Sequence, residues 1–156
     1  MAEFDLSQDL ADAAPQTWLM FMDETGLADR VSARLSETGH RVVEVQRGDA
    51  FAKIGHDRFS LAPELGRSGY EALFQDLADQ KISPTRIAHF WQVGTDRSHR
   101  PGSNFYAHCQ ENGFYSLMYL AQVLGEANLG EMHINVIGVG VEKVHNEPLL
   151  YPDARM

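Results

Sequence analysis

The chain has 156 residues, of which 44% are hydrophobic, so it is long enough to form one domain with a substantial core. A net charge of −9 without basic runs argues against nucleic acid or an anionic membrane as partner, because both attract basic patches. The single cysteine excludes an internal disulfide, and no apolar stretch reaches transmembrane length. We therefore expect a soluble cytoplasmic domain at 17–156, preceded by an acidic, polar linker or tail at 1–16.

The segment 17–48 has the pattern of a β-α-β unit. An apolar run at 18–22 ends in a turn at Gly26, and apolar residues then recur at helical spacing as far as Gly39. A second run, 41–45, is rich in β-branched residues and predicts another strand. Strand, glycine turn, helix and strand in this order are typical of a right-handed crossover between parallel strands.

A β-α-β unit opens dinucleotide-binding folds, but the glycine fingerprint of those folds is incomplete here. The fingerprint needs three spaced glycines for the turn, the approach of the pyrophosphate and the packing of the helix, and only Gly26 is present. Asp23 and Glu24 place negative charge where a phosphate would sit, against the favourable field of the helix N-terminus. The sequence therefore predicts a Rossmann-like start without a cofactor site.

Further strands and a helix follow this unit. Residues 51–61 are interpreted as a short hairpin or irregular extension rather than a core strand. Ser68, with Glu71 three residues later, predicts a capping box at the start of a core-facing helix. Strands are predicted at 86–91 and 132–139. Since a doubly wound start places the second strand outside the first, we predict a three-layer α/β fold with a mainly parallel sheet, its four main strands in the order 2-1-3-4.

The longest polar loop, 92–103, follows the predicted strand 86–91. Ligands of open α/β sheets bind beyond the carboxyl ends of strands, so a small ligand-binding or enzymatic module would use this loop with His89 and His99. The loop is also compatible with a plain surface loop, and His89 with a core or rim position. His108 and Cys109 complete no zinc spacing with these histidines and are expected to be inert. We assign no catalytic, cofactor-binding or metal-ligating residue.

The predicted helix 111–128 is apolar around nearly its whole circumference. A helix of this kind is either sandwiched or docks onto a neighbour, which is a partner domain or a second copy of the chain. The residues proposed for that contact are Phe114, Tyr115, Met118 and Tyr119.

Five blocks of sequence carry a resemblance to a known family. They begin with WLMFMDETGLADRV at Trp18, FSLAPELGRSGYEALF at Phe59, RIAHFWQV at Arg86, GFYSLMYLAQVLGEAN at Gly113 and INVIGVGVEKVHNEPLLYPDA at Ile134. In this order and spacing they resemble the structural, N-terminal subdomain of the ketoreductase region of a modular type I polyketide synthase. The His-Phe-Trp strand end and the Gly-Phe-Tyr-Ser-Leu helix start are the most specific parts.

The resemblance implies a truncated Rossmann-like fold that is not an enzyme by itself. It implies that NADPH and a Ser-Tyr-Lys active site belong to an adjoining catalytic ketoreductase half of the same polypeptide, which this subdomain stabilises. The parent synthase would reduce β-ketoacyl groups on an acyl carrier protein, with other synthase domains as neighbours. Members of the family continue beyond the position of 152–154 into a further strand, so we expect the domain to be cut at its C-terminal end.

Overall fold

The computed structural model describes residues 14–93, 111–127 and 130–138. A 3-10 turn, Pro63–Leu65, precedes the second helix, and a π-helical turn, Glu111–Tyr115, leads into the third. The strands and helices in chain order are β1 (Thr17–Phe21), α1 (Leu27–Glu37), β2 (Arg41–Arg47), β3 (Ala52–Gly55), β4 (Arg58–Leu61), α2 (Arg67–Asp79), β5 (Arg86–Gln92), α3 (Ser116–Ala127) and β6 (His133–Gly138).

The described strands form one sheet in the order β3-β4-β2-β1-β5-β6. Neighbouring strands are parallel except for the hairpin between β3 and β4. The four main strands therefore lie in the predicted order 2-1-3-4. Because the chain moves to β2 on one side of β1 and returns to β5 on the other, the order of strands reverses at β1.

The hairpin at 51–61 was predicted to lie outside the core, and this prediction is wrong for its second strand. β4 pairs in parallel with β2, and Phe59 and Leu61 are fully buried. Arg41 at the start of β2 donates two hydrogen bonds to the carboxylate of Asp57 in the hairpin turn, at 2.9 and 2.8 Å. These bonds hold the pKa of Asp57 below its usual value despite partial burial. The contact therefore joins the hairpin turn to the sheet.

Helices cover both faces of the sheet, which confirms the three-layer arrangement. The face under α2 and α3 carries the larger core, and the face under α1 carries a smaller one. Alternate residues of each strand supply the two cores, as the period of two along a strand requires. From β1, Leu19 and Phe21 enter the larger core and Met20 enters the smaller one.

The start of α2 differs from the predicted capping box. The helix begins at Arg67 after Gly66, whose φ is +81°, and no side chain caps it. The carboxylate of Glu71 is paired with the Arg67 guanidinium at 2.7 Å, so it does not return to the backbone as a capping box requires. Glu71 therefore pairs with Arg67 and not with the backbone N–H group that the capping-box pattern predicted as its partner.

Candidate functional site

The N-terminus of α1 is the place where a Rossmann fold binds phosphate, and here an internal carboxylate occupies it. Asp23 accepts hydrogen bonds from the backbone N–H groups of Ala28 at 2.7 Å, Thr25 at 3.0 Å and Leu27 at 3.3 Å. The Thr25 hydroxyl donates to the same carboxylate. Gly26, with φ +89°, makes the turn that aims these groups inward. Two of the free N–H groups at the helix end, those of Leu27 and Ala28, are thus already bonded to this carboxylate.

The ionisation of Asp23 fits this arrangement. Its side chain is almost fully buried, and burial alone raises the pKa of a carboxyl group. The hydrogen bonds from the Thr25 side chain and from three backbone groups outweigh burial and lower the pKa of Asp23 below its usual value. A permanent negative charge therefore sits at the positive end of α1.

The end of β2 is a second position that matters for nucleotide binding. Dinucleotide-binding folds place there an acidic group for the ribose, or have an arginine nearby for a 2′-phosphate. Here Arg47 ends β2, and its guanidinium pairs with the Glu24 carboxylate at 2.8 Å. Asp23 therefore bonds to the N-terminus of α1, and Glu24 pairs with Arg47. These are the two places where a dinucleotide-binding fold holds phosphate groups.

A chain of hydrogen bonds lies within the larger core. The Tyr70 hydroxyl donates to Ser116 Oγ at 2.8 Å, and Ser116 Oγ lies 2.9 Å from His89 Nε2. A serine beside a histidine has the geometry of a nucleophile and base, but all three side chains are 0% exposed. This hydrogen-bond chain joins α2, α3 and β5 in the interior of the domain.

The protonation of this chain follows from its partners. Tyr70 donates to Ser116 Oγ, and the direction of the hydrogen bond between Ser116 Oγ and His89 Nε2 depends on the tautomer of the histidine. Burial, with a smaller contribution from the charge of Arg47, lowers the pKa of His89 to about 3. Burial also raises the pKa of Tyr70 well above its usual value, although the Ser116 bond acts against this. His89 is therefore a neutral core residue, which confirms its expected core position.

The loop 92–103 was the alternative place for a site, and all but its first two residues lie outside the described residues. His99, His108 and Cys109 lie outside them as well. In the middle of β5, the Nδ1 of His89 has no hydrogen-bond partner among the described residues. Within the described ranges, no group of three or more His, Cys, Asp or Glu side chains is placed to hold a metal ion.

The third helix presents one face to the core and another to solvent. Leu117, Leu120 and Val123 are buried, whereas Phe114 and Tyr115 in the turn before α3 are 41% and 39% exposed. A helix apolar on every side was predicted, and the structure places one of its apolar faces at the surface. The proposed contact residues Phe114 and Tyr115 are therefore exposed, and Met118 and Tyr119 are half-buried.

The rings at this surface contact one another and continue into the core. Phe114 and Tyr115 meet edge to face at 5.4 Å, Tyr115 and Tyr119 stack at 6.3 Å, and Tyr119 lies 6.0 Å from Tyr70. We call Phe114, Tyr115, Met118 and Tyr119 the α3 surface. Its aromatic members are held in place from below, which reduces the entropy lost when a partner covers them.

Leu65, a neighbouring apolar residue, was not identified from the sequence. Leu65 is 60% exposed, and its 3-10 turn contacts the turn 111–115 that carries Phe114 and Tyr115. No periodic pattern marks a leucine in a three-residue turn, so only the fold shows that it adjoins the α3 surface. Arg67, two residues further along the chain, pairs with Glu126 and so joins the start of α2 to the end of α3.

None of the helices in the described ranges is long and apolar enough to cross a membrane.

The fold and its first turn define a Rossmann-like α/β domain in which an internal carboxylate fills the usual phosphate position. The family model described as beta-ketoacyl synthase-like, N-terminal, matches residues 17–151, and the chain belongs to this family. The resemblance to the structural subdomain of polyketide-synthase ketoreductase regions is thereby confirmed, together with the structural likenesses that follow. No curated protein matches the sequence.

Several solved structures share the fold, two of which contain a ketoreductase. A multidomain structure with adenylation, ketoreductase and pseudo Asub parts, from a keto acid-selecting NRPS module, is 22% identical with a TM-score of 0.77, covering 86% of this chain and 11% of that one. An N-terminal ketoreductase from the macrolactin assembly line is 19% identical with a TM-score of 0.68, covering 80% of this chain and 25% of that one. This chain thus spans a small part of both proteins.

The third structure is a short chain dehydrogenase from Leptospira borgpetersenii serovar Hardjo-bovis with bound NAD+. It is 16% identical with a TM-score of 0.52, and the match covers 99% of this chain and 64% of that one. At these identities the likenesses show the fold alone.

Proposed function

We propose that this chain is the non-catalytic structural subdomain of a ketoreductase region, and that it stabilises the catalytic, NADPH-dependent half of the same polyketide synthase. The parent synthase would reduce β-ketoacyl groups carried on an acyl carrier protein. The family membership and the two ketoreductase likenesses support the setting. The observation that carries the proposal is the exposed aromatic surface at the start of α3.

The first turn supports the non-catalytic part of the proposal. A pyrophosphate at the N-terminus of α1 would have to displace the Asp23 carboxylate from its backbone N–H donors. It would also lie near the negative charge of Glu24, while Arg47 is engaged by that residue. NADPH is therefore assigned to the catalytic half, and this chain holds no cofactor in the proposal.

The α3 surface supports the stabilising part. Aromatic residues supply much of the binding energy at protein interfaces, because they bury a large apolar area and lose little conformational freedom. Phe114 and Tyr115 are exposed at about two fifths of their surface, and Leu65 extends the apolar area beside them. A catalytic half that covers this surface would remove all three side chains from water.

The test is a calorimetric titration of the catalytic half with this chain and with two variants, Tyr115→Asp and Met118→Asp. A charge in the middle of a covered apolar surface is expected to raise the dissociation constant about 30-fold or more. This corresponds to a loss of about 2 kcal/mol in binding free energy, the size of a hot-spot effect. The circular dichroism spectrum of the variants is expected to remain that of the unmodified chain, because Tyr115 is partly exposed and Met118 is half-buried.

Ala33→Asp is the matched control, because Ala33 is exposed on α1, on the opposite face of the sheet. It adds the same charge and should leave the dissociation constant unchanged. Equal affinity for all the chains would contradict the assignment of the α3 surface. Loss of the folded spectrum in the two α3 variants would show instead that these side chains belong to the core.

A further inference from the structure

A groove lies beside α1, on the face of the sheet that carries this helix. Its volume is about 710 Å³, which falls in the range of about 300 to 1,000 Å³ typical of small-molecule pockets. One side of α1 forms a wall of the groove, and residues of β1, β5 and β6 form its floor. The groove is therefore a candidate binding site that the proposed function does not use.

The exposure of the lining residues defines the surface that a ligand would contact. Ala88 and Phe90 of β5 line the groove but are only 3% and 4% exposed, so they close its floor. The apolar side chains that line it and remain partly exposed are Trp18, Leu27, Val31 and Ile137. A ligand would therefore lie against these four side chains.

The wall that α1 contributes follows from the repeat of the helix. Three residues lie three, four and seven positions after Leu27 and so share one side of α1 with it, namely Arg30, Val31 and Arg34. Two apolar side chains and two guanidinium groups thus border the groove together. A helix side of this composition fits a ligand that is itself partly apolar and partly anionic.

The two ends of the groove differ in polarity. Arg86 is the first residue of β5, and Arg34 lies close to the end of α1, which runs antiparallel to the strands. These two cations therefore lie toward the amino ends of the strands. Phe90 and Ile137 lie four residues beyond the starts of β5 and β6, and Leu27 begins α1, so the opposite end is apolar.

The cations of the groove are incompletely paired. Arg30 has no ion pair with another described residue. The pair between Arg34 and Glu37, at 3.8 Å, is largely exposed and therefore weak. No aspartate or glutamate lines the groove among the described residues, although the chain has a net charge of −9. This local excess of positive charge favours an anionic ligand.

Trp18 contributes a second observation that points to an anion. Its indole N–H is buried and has no hydrogen-bond acceptor among the described residues. The Arg86 guanidinium lies over the Trp18 ring, with its central carbon 5.6 Å from the ring centroid. An anion beside Arg86 would therefore bring an acceptor to the part of the groove that contains this N–H.

We propose that the groove binds an amphipathic carboxylate, a linear alkyl chain that ends in a carboxyl group. Guanidinium groups recognise carboxylates through paired hydrogen bonds, so the carboxylate lies between Arg34 and Arg86. The alkyl chain then extends along the groove toward Leu27 and Ile137. Four residues of a strand extend for about 13 Å, which matches an alkyl chain of medium length. The site is independent of the proposed function, because α1 and the α3 surface lie on opposite faces of the sheet.

The test is a calorimetric titration of the chain with decanoate, with 1-decanol and acetate as reference ligands. Decanoate is expected to bind with saturation at one molecule per chain. 1-Decanol has the alkyl chain without the charge, and acetate has the charge without the alkyl chain, so both should bind at least about tenfold more weakly. Trp18 gives an optical signal, because the other tryptophan, Trp91, is 2% exposed and packs in the core on the opposite face.

The double variant Arg30→Gln, Arg34→Gln removes two cations from the wall of the groove. Both side chains are exposed, so the circular dichroism spectrum should remain that of the unmodified chain. The dissociation constant for decanoate is expected to rise about tenfold, because hydrogen bonds to charged groups are lost. The matched control is Lys53→Gln, Arg58→Gln, which makes the same change in net charge on β3 and β4 and should leave the constant unchanged.

The same dissociation constant in both double variants would overturn the proposal, and so would 1-decanol that binds as tightly as decanoate. Absence of saturable decanoate binding to the unmodified chain would overturn it as well. Trp18 emission that changes with protein concentration in the absence of decanoate would assign the groove to a second copy of the chain, which also contradicts the proposal.

Discussion

Substitution of Asp23 tests the assignment of its carboxylate to the end of α1. The variant Asp23→Ala leaves three backbone N–H groups, those of Thr25, Leu27 and Ala28, without their acceptor. Loss of a helix-capping side chain costs about 1 kcal/mol and up to about 2. Because Asp23 is 8% exposed and ionised at the positive end of α1, we expect the upper value, a loss of about 2 kcal/mol in the free energy of unfolding.

The assay is urea unfolding at neutral pH, with Glu24→Ala as the control. Glu24 is an adjacent acid, but its side chain is 74% exposed, so loss of its pair with Arg47 should cost less than about 0.5 kcal/mol. Inorganic phosphate should stabilise Asp23→Ala more than it stabilises the control, because an anion can then reach the helix end. Equal stability of Asp23→Ala and Glu24→Ala, without a specific effect of phosphate, would refute the reasoning.

Two further predictions concern ionisation and cofactor binding. The pKa of His89 is about 3 in the folded chain and near 6.5 when unfolded, so the unfolded chain binds the additional proton between these values. The contribution of His89 should therefore lower the free energy of unfolding by about 2 kcal/mol from pH 7.5 to pH 5. Urea unfolding at both pH values measures this change. A His89→Gln variant should lose about 2 kcal/mol less than the unmodified chain over the same range. In calorimetry, NADPH titrated into the chain alone should release no heat of binding, since Asp23 and Glu24 occupy the groups that phosphates need. Saturable binding of one NADPH would contradict that account.

The sequence predicted the main sheet because its signals are local and periodic. Each of the four main strands is a run of apolar residues bounded by turns, and the rule for doubly wound sheets then sets their order. β4 has only four residues, two of which point to the core, so its pattern is too short to distinguish a core strand from an irregular segment. Its membership of the sheet depends on pairing with β2 and on the contact between Arg41 and Asp57, which is not local.

The candidate sites show the same limit. The sequence shows that Asp23 brings negative charge to the first turn, but its three hydrogen bonds depend on the conformation of Gly26. His89 was expected in the core because its neighbours are apolar. Its partner Ser116 lies 27 residues away, and Tyr70 lies 46 residues from Ser116, so no spacing rule connects them.

The α3 surface illustrates a different difficulty. A helix with apolar residues on every side shows that a second surface is covered, but it does not show which face meets the core. The structure decides this by burying Leu120 and Val123 and leaving Phe114 and Tyr115 exposed. Leu65 joins the surface through a contact between two turns that lie about fifty residues apart in the sequence.

The most direct test of the stabilising role is thermal unfolding of the catalytic ketoreductase half, alone and with increasing amounts of this chain. A partner that binds only the folded state raises its stability by about 2.7 kcal/mol at one hundred times the dissociation constant. We predict a melting temperature of the catalytic half that rises with the concentration of this chain and rises less with Tyr115→Asp. An unchanged melting temperature at every concentration would contradict the proposal that this domain stabilises its catalytic neighbour.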